Sequence, residues 1–70
     1  MLRASSAKVD WDSAKKQWHV QIHVGAEVIK RHVKDQPQGA ADQALRDEAV
    51  TVAKDEGYDL DPTKVEIGVR

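Results

Sequence analysis

Gln17-Trp18-His19-Val20-Gln21-Ile22-His23-Val24, then Gly25-Ala26, then Glu27-Val28-Ile29-Lys30-Arg31-His32-Val33: this stretch decides the fold. Trp18, Val20, Ile22 and Val24 alternate with Gln17, His19, Gln21 and His23. A period of two marks a strand with one buried face. Gly25-Ala26, with glycine first, suits a two-residue type II′ hairpin turn. Residues 27–33 then read as the return strand. Upstream, Val9 and Trp11 alternate with Lys8, Asp10 and Asp12, and Ser13-Ala14-Lys15-Lys16 is short and polar enough to join two strands.

Parity fixes the register. The turn at 25–26 pairs Val24 with Glu27, Ile22 with Ile29, Val20 with Arg31 and Trp18 with Val33. The loop at 13–16 pairs Asp12 with Gln17, Trp11 with Trp18 and Val9 with Val20. Both choices gather Val9, Trp11, Trp18, Val20, Ile22, Val24, Ile29 and Val33 on one face, and a one-residue slip would scatter them. Glu27 and Arg31 fall on that face too, and each is expected to reach solvent at an edge. The other face holds Lys8, Asp10, Asp12, Gln17, His19, Gln21, His23, Val28, Lys30, His32 and Lys34, polar except for Val28.

Beyond the break at Asp35-Gln36-Pro37-Gln38-Gly39, residues from about Ala40 to Glu56 read as a helix. Ala41, Leu45, Ala49, Val52 and Ala53 form one stripe at three- and four-residue spacing. Gly57 stands where a C′ glycine belongs, with Tyr58 placed to pack back on Ala53. Asp59-Leu60-Asp61-Pro62 is a loop, and Lys64 to Val69 alternates again as a final strand, expected to run parallel to its neighbour after a helical crossover. The expected architecture is therefore α+β, in the order β-β-β-α-β, with a mostly antiparallel sheet and one helix on one face. Residues 1–70 make one small domain, with 1–6 expected to be a flexible N-terminal tail. The apolar stripe of the helix is thin, alanine-rich where leucine or isoleucine would be usual. Such a helix either packs close to the sheet or leaves apolar area for a second subunit.

Composition excludes much. The chain has 70 residues and no cysteine, which removes disulfides, cysteine-based metal sites and a thiol nucleophile. No run approaches the ~20 apolar residues of a membrane span, and Met1 to Ser6 lacks the apolar core of a secretory signal. A cytoplasmic location is expected, with no membrane partner. Net charge is -1, yet it is unevenly spread. Residues 1–34 carry seven Lys/Arg and three Asp/Glu, a balance of +4. Residues 35–70 carry four and nine, a balance of -5. Such asymmetry either marks a basic surface for an acidic partner or draws the two halves together within the fold.

Three constellations are candidates for chemistry. The register puts Asp10, His19 and His32 in one cross-strand row, where opposed Cβ atoms lie about 4.5–5.5 Å apart. Two imidazoles and a carboxylate in that row are a candidate metal site, and the two histidines a candidate proton switch. His19 and His23 have the spacing of a helical metal motif, but on a strand they stand about 13 Å apart and cannot share an ion. Asp59-Leu60-Asp61 resembles the start of a calcium loop, but Lys64 replaces the required glycine and Arg70 the closing glutamate. Ser5, Ser6, Ser13, Thr51, Thr63 and Tyr58 stand beside no sequence-local base, and glycines 25, 39, 57 and 68 are too scattered for a phosphate loop. No enzymatic activity and no cofactor are expected.

The expected function is that of a non-enzymatic binding module, working through a protein partner or self-association. Its polar sheet face presents Lys8, His19, Gln21, Lys30 and His32. The alternative is a nucleic-acid reader using Lys8, Gln21, Lys30, His32 and Lys34, with Lys15 and Lys16 at the rim. The pI of about 6.3 and the assignment of both tryptophans to the core weigh against that alternative.

Overall fold

The computed structural model describes residues 2–34 and 36–68. Its elements in chain order are β1 (Leu2–Arg3), β2 (Ser6–Asp12), β3 (Gln17–Val24), β4 (Glu27–Val33), α1 (Asp42–Asp55), β5 (Tyr58–Asp59), a 3-10 turn (Pro62–Lys64) and β6 (Val65–Ile67). Four strands form one sheet in the order β4-β3-β2-β6, antiparallel except where β6 runs parallel to β2. The protein is a small α+β domain with one helix and a mostly antiparallel mixed sheet. Among the described residues no helix is long and apolar enough to cross a membrane.

The register is the one parity demands. Trp11 pairs with Trp18 and Val9 with Val20, while Ile22 pairs with Ile29 and Val24 with Glu27. Gly25 has a φ of +58° and Ala26 stays at negative φ, as the first position of a type II′ turn requires. The other hairpin loop solves the same problem without glycine. Lys16 enters the left-handed region at φ +53°, and the Asp12 carboxylate accepts from the Ala14 and Lys15 amides at 3.1 and 3.2 Å.

Val9, Trp18, Val20 and Ile22 from the sheet and Leu45, Ala49 and Ala53 from the helix are almost wholly buried. Alanines 49 and 53 let the helix approach the sheet closely. Ala4, Ala7, Val33, Ala40, Leu60 and Val65 complete this core, and Trp11, Val24 and Ile29 are only partly buried against it. Trp11 meets Trp18 edge-on, with ring centroids 5.3 Å apart, a favoured aromatic geometry. The buried Trp18 indole N–H donates to the Pro37 carbonyl at 2.8 Å, so the largest core side chain also anchors the loop that leads into the helix.

The helix begins at Asp42, later than the apolar spacing suggests, with Ala41 as an N-cap that makes no side-chain bond. The correction concerns which alanine is inside. The Ala40 amide bonds the Pro37 carbonyl at 3.0 Å, and this turn buries Ala40 and exposes Ala41. At the other end Gly57 takes φ +90° and its amide bonds the Lys54 carbonyl, as a C′ glycine does.

Two features go beyond the sequence pattern. The last strand lies beside β2, where Val65 and Ile67 fall opposite Ala7 and Val9; Val69 lies outside the described residues. Residues 2–6, read from sequence as part of a tail, carry backbone pairing. Leu2 and Arg3 pair in parallel with Tyr58 and Asp59, the Ala4 amide bonds the Asp59 carbonyl, and the Ser5 amide bonds the His23 carbonyl. Ala4 is buried. This clasp ties the chain's start to the helix exit. The uneven charge is also used internally: Arg3 faces Asp59 at 3.9 Å and Arg31 pairs with Glu56, each joining the basic first half to the acidic second half.

Candidate functional site

Because α1 lies on one face of the sheet, the side chains of the opposite parity are left on an open face. The pairings arrange them in rows across the strands. One row runs Lys30, Gln21, Lys8 and Glu66, spanning β4, β3, β2 and β6. The next runs His32, His19 and Asp10. A third contains Val28, His23 and Ser6. Lys8, Val28, Lys30, His32 and Lys34 are exposed, and Asp10, Asp12, His19, Gln21 and His23 are half-buried. All five residues selected from sequence, Lys8, His19, Gln21, Lys30 and His32, are brought together on this face.

The histidine row forms as a stack. The His19 and His32 rings lie nearly parallel, 21° apart, with centroids separated by 4.8 Å. Imidazole lone pairs lie in the ring plane. Two rings stacked at this distance send them along parallel directions rather than toward one ion, whose bonds would each be about 2.0–2.1 Å long. The Asp10 carboxylate lies against Gly68, so close that a Cβ at position 68 would collide with it. Among the described residues no group of three or more His, Asp or Glu is placed to hold a metal ion. Instead His32 reaches a carboxylate outside its own row: its Nε2 lies 4.0 Å from the Asp12 Oδ2.

His19 sits below the ordinary histidine pKa. Burial is the main cause, because it disfavours the imidazolium; His32 and Lys30 add repulsion, and Asp10 and Asp12 oppose the shift. His19 is thus neutral at neutral pH, and its ring can offer both a donor and an acceptor nitrogen.

The charges on this face balance. Lys8, Lys30 and Lys34 share it with Asp10, Asp12 and Glu66. Lys30 belongs to β4 and Lys34 follows it, whereas Lys8 and the acids lie on β2 and β6. Sequence reading missed Glu66 as a member, because nothing in the pattern says which strand β6 joins. The remaining motifs resolve into local structure. His19 and His23 share one strand, and the Asp61 carboxylate caps the 3-10 turn by accepting from the Thr63 amide at 2.9 Å and hydroxyl at 2.8 Å, which lowers its pKa.

An open depression elsewhere, about 450 Å³, is lined by Gln43, Arg46, Pro62 and Thr63. Among the described residues Arg46 is its one charged group, and Gln43 is already bonded to Asp47. It lacks the convergent polar groups of a ligand site. No family model matches the chain, and no curated protein or solved structure is significantly similar to it, so its functional reading rests on the geometry of the open sheet face.

Proposed function

We propose that the protein is a non-enzymatic interaction module whose open sheet face docks a protein partner. The observation that carries this reading is the continuous polar row Lys30-Gln21-Lys8-Glu66, set beside the His32-His19-Asp10 row on a face the helix leaves bare. An open sheet surface of mixed donors, acceptors and both charge signs suits recognition of another folded surface, where charge complementarity sets orientation and partner choice. It does not suit chemistry, which needs a water-excluding pocket.

A nucleic-acid partner is the alternative, supported by Lys8, Lys30 and Lys34 on the face. Asp10, Asp12 and Glu66 on the same face oppose it, since they would repel phosphate. Photo-cross-linking separates the two. A cross-linker at Gln21 should capture one reproducible protein from the source cells, and unlabelled wild-type chain should compete it away. A His19→Ala, Lys30→Ala chain should not compete, and a cross-linker at Thr51 on the helix should not capture that protein. Amide shifts at His19, Gln21, Lys30 and His32 on adding a mixed-sequence DNA duplex, persisting at physiological salt, would overturn the protein-partner reading in favour of nucleic acid.

A further inference from the structure

The β4 edge offers a second surface, independent of the open face. β4 is the terminal strand of the sheet and, among the described residues, pairs only with β3. In a two-residue hairpin the residues flanking the turn exchange both hydrogen bonds, and pairing then alternates. Glu27, Ile29, Arg31 and Val33 therefore turn their backbone groups toward β3. Val28, Lys30 and His32 turn theirs outward. The helix packs mainly on β2, β3, β5 and β6, and β4 meets its end through the Arg31–Glu56 pair. All of β4 is exposed except the half-buried Ile29 and the buried Val33, and Val28 retains 45% of its surface.

We infer that this edge is the interface between two copies of the chain, joined antiparallel about a two-fold axis at Ile29. A two-fold axis perpendicular to the sheet keeps the faces aligned and allows few registers. Centring the axis on Lys30 opposes two lysines and sets Ile29 against Arg31. Centring it on Ile29 opposes Glu27 to Arg31 of the second copy, twice. It sets Ile29 against its own counterpart and lets the outward groups of Val28 and Lys30 bond each other. Opposite charges facing each other across strands stabilise a pairing, and like charges oppose it. Arg31 already pairs with Glu56 and donates to the Lys30 carbonyl at 2.7 Å. That carbonyl keeps a second lone pair for the new strand, and Glu27 of the second copy would complete a carboxylate–guanidinium–carboxylate arrangement. Charges blunt an open edge against arbitrary strands; here the same charges select the chain's own edge. The product is one eight-stranded sheet with both polar faces continuous.

Sedimentation equilibrium of the full chain up to about 1 mM should show a monomer–dimer equilibrium, weakened at least about tenfold by Glu27→Lys, an exposed change that leaves the core intact. Because the protein has no cysteine, single-cysteine variants report the register. Residues opposed at the non-hydrogen-bonded site of an antiparallel pair lie about 4.5 Å apart at Cα, within disulfide reach. Ile29→Cys should oxidise to a covalent dimer faster than Val28→Cys or Lys30→Cys. A chain that stays monomeric throughout, or faster cross-linking through Lys30→Cys, would overturn the inference.

Discussion

β3 and β4 are neighbours of nearly equal length, and both alternate in sequence. Their fates differ. Along β3 every second residue from Trp18 to Ile22 is buried, whereas along β4 only Val33 is. The contrast is sharpest at one cross-strand pair, Ile22 and Ile29: the same side chain on the same face, one wholly buried and one half-exposed. Alternation says which face a residue takes. How deeply that face is covered depends on where the helix comes to rest, and it rests toward β5 and β6.

The pair is also the strongest test. Ile22→Ala should cost about 4 kcal/mol, most of a stability on the order of 5 kcal/mol for a domain this size. Ile29→Ala, measured by urea unfolding at low protein concentration, should cost about 1 kcal/mol. Equal losses would mean that β4 is as well covered as β3. The hairpin turns give a second contrast, since Lys16 and Gly25 hold nearly the same left-handed φ. A Cβ on Gly25 would meet no atom within 4 Å, so Gly25→Ala should cost about 1 kcal/mol through the backbone alone. Lys16→Gly should gain about 0.5 kcal/mol, strain relief outweighing the added chain entropy. If both substitutions destabilise, the Lys16 side chain has a packing role that offsets its φ.

The smallest expected effect is on pH. His19 on β3 has a folded-state pKa below its ordinary value of 6.5, so the unfolded chain binds more protons as pH falls below that value. The stability it contributes is complete above about pH 6.5 and is lost as pH falls through the folded pKa. His19→Gln should flatten the fall in melting temperature over that window. An unchanged slope would place the proton uptake elsewhere.

Much of this was legible in the residues. Gly25-Ala26 and the parity of Trp18, Val20 and Ile22 specify the hairpin, because a slip would turn these side chains to water. The open-face membership of His19, Gln21, Lys30 and His32 follows from the same parity, and Gly57 marks the helix exit. Other features were not legible. Leu2–Arg3 is too short to show a period, so its pairing with Tyr58–Asp59 left no signal. Ala40 and Ala41 are chemically identical, and only the turn at Pro37 decides which is buried.

The sequence by itself therefore determined strands β2, β3 and β4, their register, the turn between β3 and β4 and the residues those strands give to the polar face, since each is set by contacts between near neighbours in the chain. The tertiary structure alone decided that β6 lies beside β2, that Glu66 joins the open face, that the two histidines stack and that β4 is less deeply buried than β3. Those outcomes depend on where the helix packs and how side chains from distant segments meet, and no local pattern encodes that.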